Sequence, residues 1–212
     1  EIYGLTKGQF SPTSEKGIKT KSNPHGTIDE PFLPSDLAFG ANTSFFARVV
    51  DTNPKLMQKI FVEAEKHKGT SLIEILQNCV IFNDKTFSDI TGKDVKQDAQ
   101  LILEHNQPMI FGRNMDKGIR LNGFNLEVVQ IGVNGITEKD ILIHDAKTND
   151  ITLHSMLGRM MPPKFPAVMG VIRSVTRPTF DDSIIAQLDI EKNNAKFKNV
   201  NDLINSGETW EI

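Results

Sequence analysis

The chain of 212 residues contains one cysteine, Cys79. A single thiol excludes a disulfide framework within the chain. Taken alone, it also excludes a self-contained thiolate metal centre, which needs several such ligands. There is no excess of positive charge: 24 Lys and Arg stand against 27 Asp and Glu, for a formal net charge of −3. Bulk electrostatics therefore do not hold this chain to nucleic acid. No apolar run reaches the roughly 18 residues of a transmembrane helix, so no membrane span is expected. There is no internal repeat and no low-complexity tract. What remains is ordinary for a globular protein, with 38% hydrophobic and 24% charged residues. The length suits one domain or slightly more, enough to bury a real core.

Residues 1–35 read as loop, because Gly4, Gly8, Pro12, Gly17, Pro24, Gly26, Pro31 and Pro34 interrupt helix and strand alike. So long a loop is uncommon unless functional or disordered, and Ile2, Leu5, Phe10, Ile18, Ile28 and Phe32 offer apolar anchors against disorder. The chain enters at once on a strand-end-to-loop pattern, Ile2-Tyr3-Gly4-Leu5-Thr6-Lys7-Gly8-Gln9, which suggests that something upstream is missing. Asp36 is placed to cap a short helix through Gly40. Residues 44–50 read as a buried strand, Asn53-Pro54 as a helix start, 55–68 as an amphipathic helix and 71–76 as a second strand. This strand–helix–strand order is a βαβ unit, which builds parallel sheet. Beyond about residue 95, short apolar runs at 101–103, 109–111, 126–131 and 141–143 alternate with turns at Asn122-Gly123 and Asn134-Gly135, the pattern of hairpins. A short helix over 153–161, a strand over 167–175 and helices over 183–195 and 199–206 complete the reading. The fold class is α/β.

Two segments carry candidate chemistry. Amides freed by Gly4 and Gly8 can cradle an anion beside Lys7. Spacing alone favours a plain surface turn there, since the loop matches neither the P-loop nor the dinucleotide pattern. Cys79 follows the apolar strand 71–76, at a carboxyl end where α/β sheets bind ligands. A free Cys is most often a small buried hydrophobe, but Asn78, Asn83 and Asp84 make this segment polar. No spacing links a His to Cys79 as a base. His67 reads as solvated, His144-Asp145 as a hairpin turn more readily than an acid–base pair, and Arg113, Lys117 and Arg120 as a solvated hairpin. The Phe residues at 45, 46, 61, 82, 111 and 124 read as core.

The opening segment, Ile2 through Ser14, resembles the thiamine-diphosphate loop of β subunits of 2-oxoacid:ferredoxin oxidoreductases, the 2-oxoglutarate type most of all. The likeness continues at Thr27-Ile28-Asp29-Glu30-Pro31-Phe32, Ala47-Arg48 with Asp51, Gly69-Thr70, Glu74 through Cys79, Phe82-Asn83-Asp84, Gly170-Val171-Ile172-Arg173 and Ser206 through Glu211. It thus covers essentially the whole chain. It implies a partial thiamine-diphosphate-binding fold, with a parallel βαβ core plus a C-terminal hairpin and helix extension. Residues 1–94 would belong to the cofactor domain and 95–212 to the extension.

The resemblance also implies roles. The backbone carbonyl of Ile2 would ligate the Mg²⁺ of the cofactor, an oxygen donor suited to a hard cation. Gly4, Leu5 and Thr6 would run beside the thiazolium and diphosphate, with Leu5 shaping the substrate pocket. Lys7 would meet either the distal carboxylate of a 2-oxoacid or coenzyme A, and Lys55 is a weaker candidate for coenzyme A. Cys79 would be one of four ligands of a [4Fe–4S] cluster. The other three, with a Gly-Asp-Gly motif and an Asn that ligate Mg²⁺, would lie upstream. The implied reaction is CoA-dependent oxidative decarboxylation by a cytoplasmic heteromer, with an α subunit and ferredoxin as partners. Two other readings stand beside it: a thiamine-dependent decarboxylase or carboligase without a cluster, and a non-catalytic α/β assembly module.

Overall fold

The structure is a computed structural model and describes residues 2–208 and 210. Thr209 and Glu211 of the closing motif lie outside the described residues. The chain divides into two compact units, one reaching Thr176 and one starting at Arg177. The expected boundary at 94/95 falls inside the first unit, between two short helices.

The first unit opens with strands β1 (Ile2–Tyr3) and β2 (Gln9–Phe10), paired antiparallel. Residues up to 33 then form no helix or longer strand. Polar side chains rather than apolar anchors order this stretch. Ser11 and Ser14 are buried, with the Ser11 amide donating to Ser14 Oγ at 3.0 Å, and buried Thr27 donates to the Glu15 carbonyl at 2.7 Å. Of the supposed anchors, Leu5 and Ile28 are exposed.

Helix α1 (Pro34–Gly40) follows. Asp36 lies within its first turn and does not cap it; the cap position is Leu33, without a side-chain bond. The Asp36 carboxylate instead accepts two hydrogen bonds from Arg159, at 2.8 and 2.9 Å. Pro34 supplies the preset φ that starts the helix.

The expected βαβ unit is present as β3 (Phe45–Val50), α2 (Pro54–Lys66) and β4 (Ser71–Leu76). The Asn53 side chain accepts from the Leu56 amide at 3.2 Å, and Pro54 occupies the first turn, so both local signals act at one end of α2. β3 and β4 run parallel in register from Phe45↔Ser71 to Val50↔Leu76. Short helices α3 (Ser88–Thr91) and α4 (Lys96–Ala99) lead to β5 (Gln100–Leu103), β6 (Ile110–Phe111), β7 (Lys117–Asn122) and β8 (Asn125–Gln130). Helix α5 (Thr152–Gly158) and β9 (Ala167–Ser174) complete the unit.

The main sheet has the order β4-β3-β9-β5. β9 is antiparallel to β3 and parallel to β5, so the sheet is mixed. Alternation along β3 sends Phe45, Ala47 and Val49 to the α2 side with Ile60. Phe46 goes to the opposite side, where α1, α5 and the β7–β8 hairpin pack. That hairpin closes with Asn122 opposite Asn125, leaving Gly123 and Phe124 at its tip. Phe124 is therefore 96% exposed, not core, and Phe61, on the outer face of α2, is 44% exposed. The run 141–143 is not a strand: it makes an isolated bridge, Pro108 with Ile143, while the Leu142 carbonyl accepts from the Met109 amide and the Leu142 amide donates to the Ile119 carbonyl. In the second unit, α6 (Phe180–Asn194) and α7 (Val200–Ile204) start on capping side chains, Thr179 and Asn199, which accept from the amides of Asp182 and Asp202.

Candidate functional site

The opening loop is a tight hairpin connection. The Lys7 amide donates to the Gly4 carbonyl and the Gly8 amide to the Tyr3 carbonyl, both at 3.0 Å. The Thr6 hydroxyl reaches the Tyr3 carbonyl at 3.4 Å. Lys7 has φ 60 and Gly8 φ 112. The left-handed region is natural for Gly8 but uncommon for Lys7, a kind of backbone outlier that concentrates at ligand sites. Leu5 projects with 97% of its surface exposed, and Lys7 is exposed beside it.

Cys79 sits just past the carboxyl end of β4, as the sequence suggested, and is exposed. The turn that carries it is built by its polar neighbours. Asp51, just past β3, accepts from the Asn78 amide at 3.0 Å, which ties the ends of the two parallel strands together. The Asn78 side-chain amide donates to Asp84 at 3.0 Å, and Asn83 donates to the Thr86 hydroxyl at 3.0 Å. The Asn83 amide closes the turn on the Cys79 carbonyl at 2.9 Å. Backbone amides of Phe82 and then Ile81 point at the Cys79 sulfur and lower its thiol pKa; partial desolvation opposes them and the Asn83 amide adds a smaller lowering effect. An exposed sulfur surrounded by N–H donors is stabilised as thiolate, the form that ligates metal. The donor chemistry thus fits one cluster ligand. Among the described residues no group of three or more His, Cys, Asp or Glu could hold a metal by itself.

The loop and the turn meet at Phe82. A methyl added to Gly4 would lie 3.4 Å from one edge of the Phe82 ring, and one added to Gly8 would lie 3.9 Å from the other edge. The ring therefore spans the two glycines of the loop while its main chain lies in the Cys79 turn. Sequence reasoning placed Phe82 in the core. No signal in the sequence marks the contact, which joins segments more than seventy residues apart. Lys55 occupies the second position of α2, exposed, at the same carboxyl end of the sheet as Asp51 and the Cys79 turn.

The remaining candidates fall elsewhere. His67 is not simply solvated: its Nε2 lies 3.0 Å from Ser44 Oγ and its ring packs on Phe45, and burial lowers its pKa. His144 is fully buried rather than in an open turn, with Nε2 2.9 Å from the Val171 carbonyl. Lys117 and Arg120 pair with Asp98 and Glu127, and Arg113 donates to the Asp94 carbonyl, so the basic stretch is structural. A cleft of about 280 Å³ is lined by Leu56, Lys59, Ile60, Glu104, His105 and Lys147 among others, and none of Ile2, Gly4, Leu5, Thr6, Lys7, Lys55 or Cys79 lines it.

No profile of a known family matches the chain. The 2-oxoglutarate oxidoreductase subunit KorB of Mycobacterium tuberculosis is 37% identical over 214 aligned residues, which cover 100% of this chain and 57% of that protein. The 2-oxoglutarate synthase subunit KorB of Archaeoglobus fulgidus is 38% identical over 78 residues, 37% of this chain and 29% of that one. The 2-oxoacid:ferredoxin oxidoreductase subunit beta of Saccharolobus solfataricus is 43% identical over 83 residues, 39% of this chain and 27% of that one. A solved 2-oxoglutarate:ferredoxin oxidoreductase from Magnetococcus marinus, with 2-oxoglutarate, coenzyme A and succinyl-CoA bound, shares the fold at TM-score 0.65 and 21% identity, over 98% of this chain and 55% of that one. The chain thus spans little more than half the length of the relative it matches end to end.

Proposed function

The chain belongs to the β subunits of 2-oxoacid:ferredoxin oxidoreductases of the 2-oxoglutarate type, and from that premise we propose that it contributes part of a thiamine-diphosphate–Mg²⁺ site and one ligand of a [4Fe–4S] cluster. The observation that carries this reading is the meeting of the 4–8 loop with the Cys79 turn across Phe82. Two segments with separate implied roles lie within one side chain's reach, at the carboxyl end of the parallel strands, where such sheets bind ligands.

In this reading the Ile2 carbonyl faces the metal, and Gly4, Leu5 and Thr6 line the cofactor. Thiamine diphosphate, when bound, supplies the nucleophilic carbon and the electron sink for decarboxylating a 2-oxoacid. Leu5 gives the pocket an apolar wall that excludes water. Lys7 offers a point charge to the distal carboxylate of 2-oxoglutarate or to coenzyme A, and Lys55 is a second basic contact for coenzyme A. Cys79 holds iron as thiolate, its charge spread over the surrounding amides. Residues 1–94 complete the cofactor domain of the longer subunit and 95–212 extend it. The α subunit supplies the rest of the site, ferredoxin takes the electrons, and the heteromer is cytoplasmic.

The test uses the full-length subunit assembled with its partner. It should contain iron and sulfide, require thiamine diphosphate, and reduce ferredoxin or a viologen dye only with 2-oxoglutarate and coenzyme A. Cys79→Ser should remove the cluster absorption. An unchanged cluster spectrum would defeat the ligand assignment, and a heteromer inert towards every 2-oxoacid would defeat the reading as a whole.

A further inference from the structure

We infer that Phe82 is a positioning residue that holds the 4–8 loop and the Cys79 turn together as one unit. Its bearing on the reaction rests on the function proposed above.

Three observations converge on this residue. The ring lies within van der Waals reach of the side-chain positions of both Gly4 and Gly8, with opposite edges turned to the two glycines. Its main chain lies inside the turn that the Asn83 amide closes on the Cys79 carbonyl at 2.9 Å, so side chain and main chain serve different segments. Phe82 also belongs to none of the three apolar clusters that form the core. Its neighbours Val80 and Ile81 are 75% and 79% exposed, and Leu5 across the gap is 97% exposed. Neither segment is therefore anchored by burying its own apolar residues. A flat ring against a glycine-bounded loop is a contact that loses most of its area when the ring is removed. A side chain starting at position 4 or 8 would meet the ring at ordinary contact distance, and at Gly8 the φ of 112 excludes most other residues. A shift of the loop on binding its cofactor would reach the turn that carries Cys79, and the reverse holds as well.

The full-length subunit with its partner is compared as wild type, Phe82→Ala and Phe82→Tyr by peptide-resolved hydrogen exchange and by redox titration of the cluster followed by electron paramagnetic resonance. Phe82→Ala should speed exchange by about tenfold or more in both 2–10 and 79–86, leave β3 and β9 unchanged, and shift the cluster's midpoint potential. Phe82→Tyr, which keeps the ring, should restore both readouts. Faster exchange in one segment only, in neither, or without rescue by Tyr overturns the inference. If Phe82→Ala loosens β3 and β9 too, Phe82→Leu is read by the same criteria. A wild-type heteromer without cluster or thiamine dependence would defeat the proposed function instead, and the exchange comparison, which needs neither cofactor, would still decide the role of Phe82.

Discussion

The fully buried guanidinium of Arg173 lies 3.0 Å from Nδ1 of His154. Nε2 of the same ring lies 2.8 Å from the Asp145 carbonyl, an acceptor only, so Nε2 carries the proton and Nδ1 accepts from Arg173. The arginine also donates to the carbonyls of Thr43 and Thr148, both at 3.0 Å, which joins the start of the sheet to the segment before α5. Burial, with a further contribution from the Arg173 charge, lowers the His154 pKa against the raising effect of Asp145. His144 packs edge-on against His154, ring centroids 6.2 Å apart, and burial lowers its pKa to about 4.

Both rings bind protons less readily folded than unfolded. Their stabilising contribution is complete above the unfolded value of 6.5 and is lost as pH falls below it, for His144 towards about 4. For His144 the loss amounts to on the order of 3 kcal/mol. Urea midpoints should fall through this window in the wild type and fall less in His144→Leu. Equal slopes in the two proteins would show that His144 does not set the dependence.

Arg48 is 4% exposed and donates to Glu74 Oε2 at 2.6 Å and to the Gly158 carbonyl at 2.7 Å. Glu74→Ala leaves a buried cation without its carboxylate and should cost about 3–5 kcal/mol in denaturant unfolding. The Arg159–Asp36 pair has good geometry but side chains 65% and 34% exposed. Arg159→Ala should cost no more than about 1 kcal/mol. A comparable loss from both would refute the distinction between buried and exposed pairs.

Gly170 lies in β9 with φ 96, and an added methyl would stand 2.7 Å from the Leu103 carbonyl oxygen of the neighbouring strand. Gly170→Ala should destabilise by about 2–4 kcal/mol, from backbone strain and collision together. Gly123, at the hairpin tip with φ 60, meets nothing within 4 Å, so Gly123→Ala should cost only about 1 kcal/mol. Thermal unfolding of the two variants side by side measures the difference.

The amides around Cys79 hold its thiol below the ordinary range. In the metal-free chain, alkylation by iodoacetamide should show a midpoint below that of an unstructured cysteine peptide. A midpoint at or above the peptide's would mean that the amides do not stabilise the thiolate.

The βαβ unit was legible because its signals are local: the Asn53-Pro54 start and the apolar spacing of Leu56, Ile60 and Ala64 each act within a turn or two. The antiparallel placement of β9 between β3 and β5 was not, since strand neighbours far apart in sequence leave no periodic mark. Asp36 misled for a related reason: an acid near a helix start suits both a cap and the first turn, and Pro34 decides between them. At the site, the loop and Cys79 were each legible, but their adjacency was not. It depends on Phe82, and composition cannot distinguish a ring that packs in the core from one that packs on a loop.

The central strand β3 has neighbours of very different range. Phe45 faces Ser71 on its parallel side and Ser174 on its antiparallel side. During synthesis the βαβ half can form as soon as β4 is available, whereas β3 keeps an open flank until almost the entire first unit has been made. Late closure of a long-range pairing is slow and leaves strand edges exposed to misassembly. Pairing with β9 is therefore the long-range closure of this sheet, and a ribosome stalled before Ala167 would hold a chain whose β3 edge is open to misassembly.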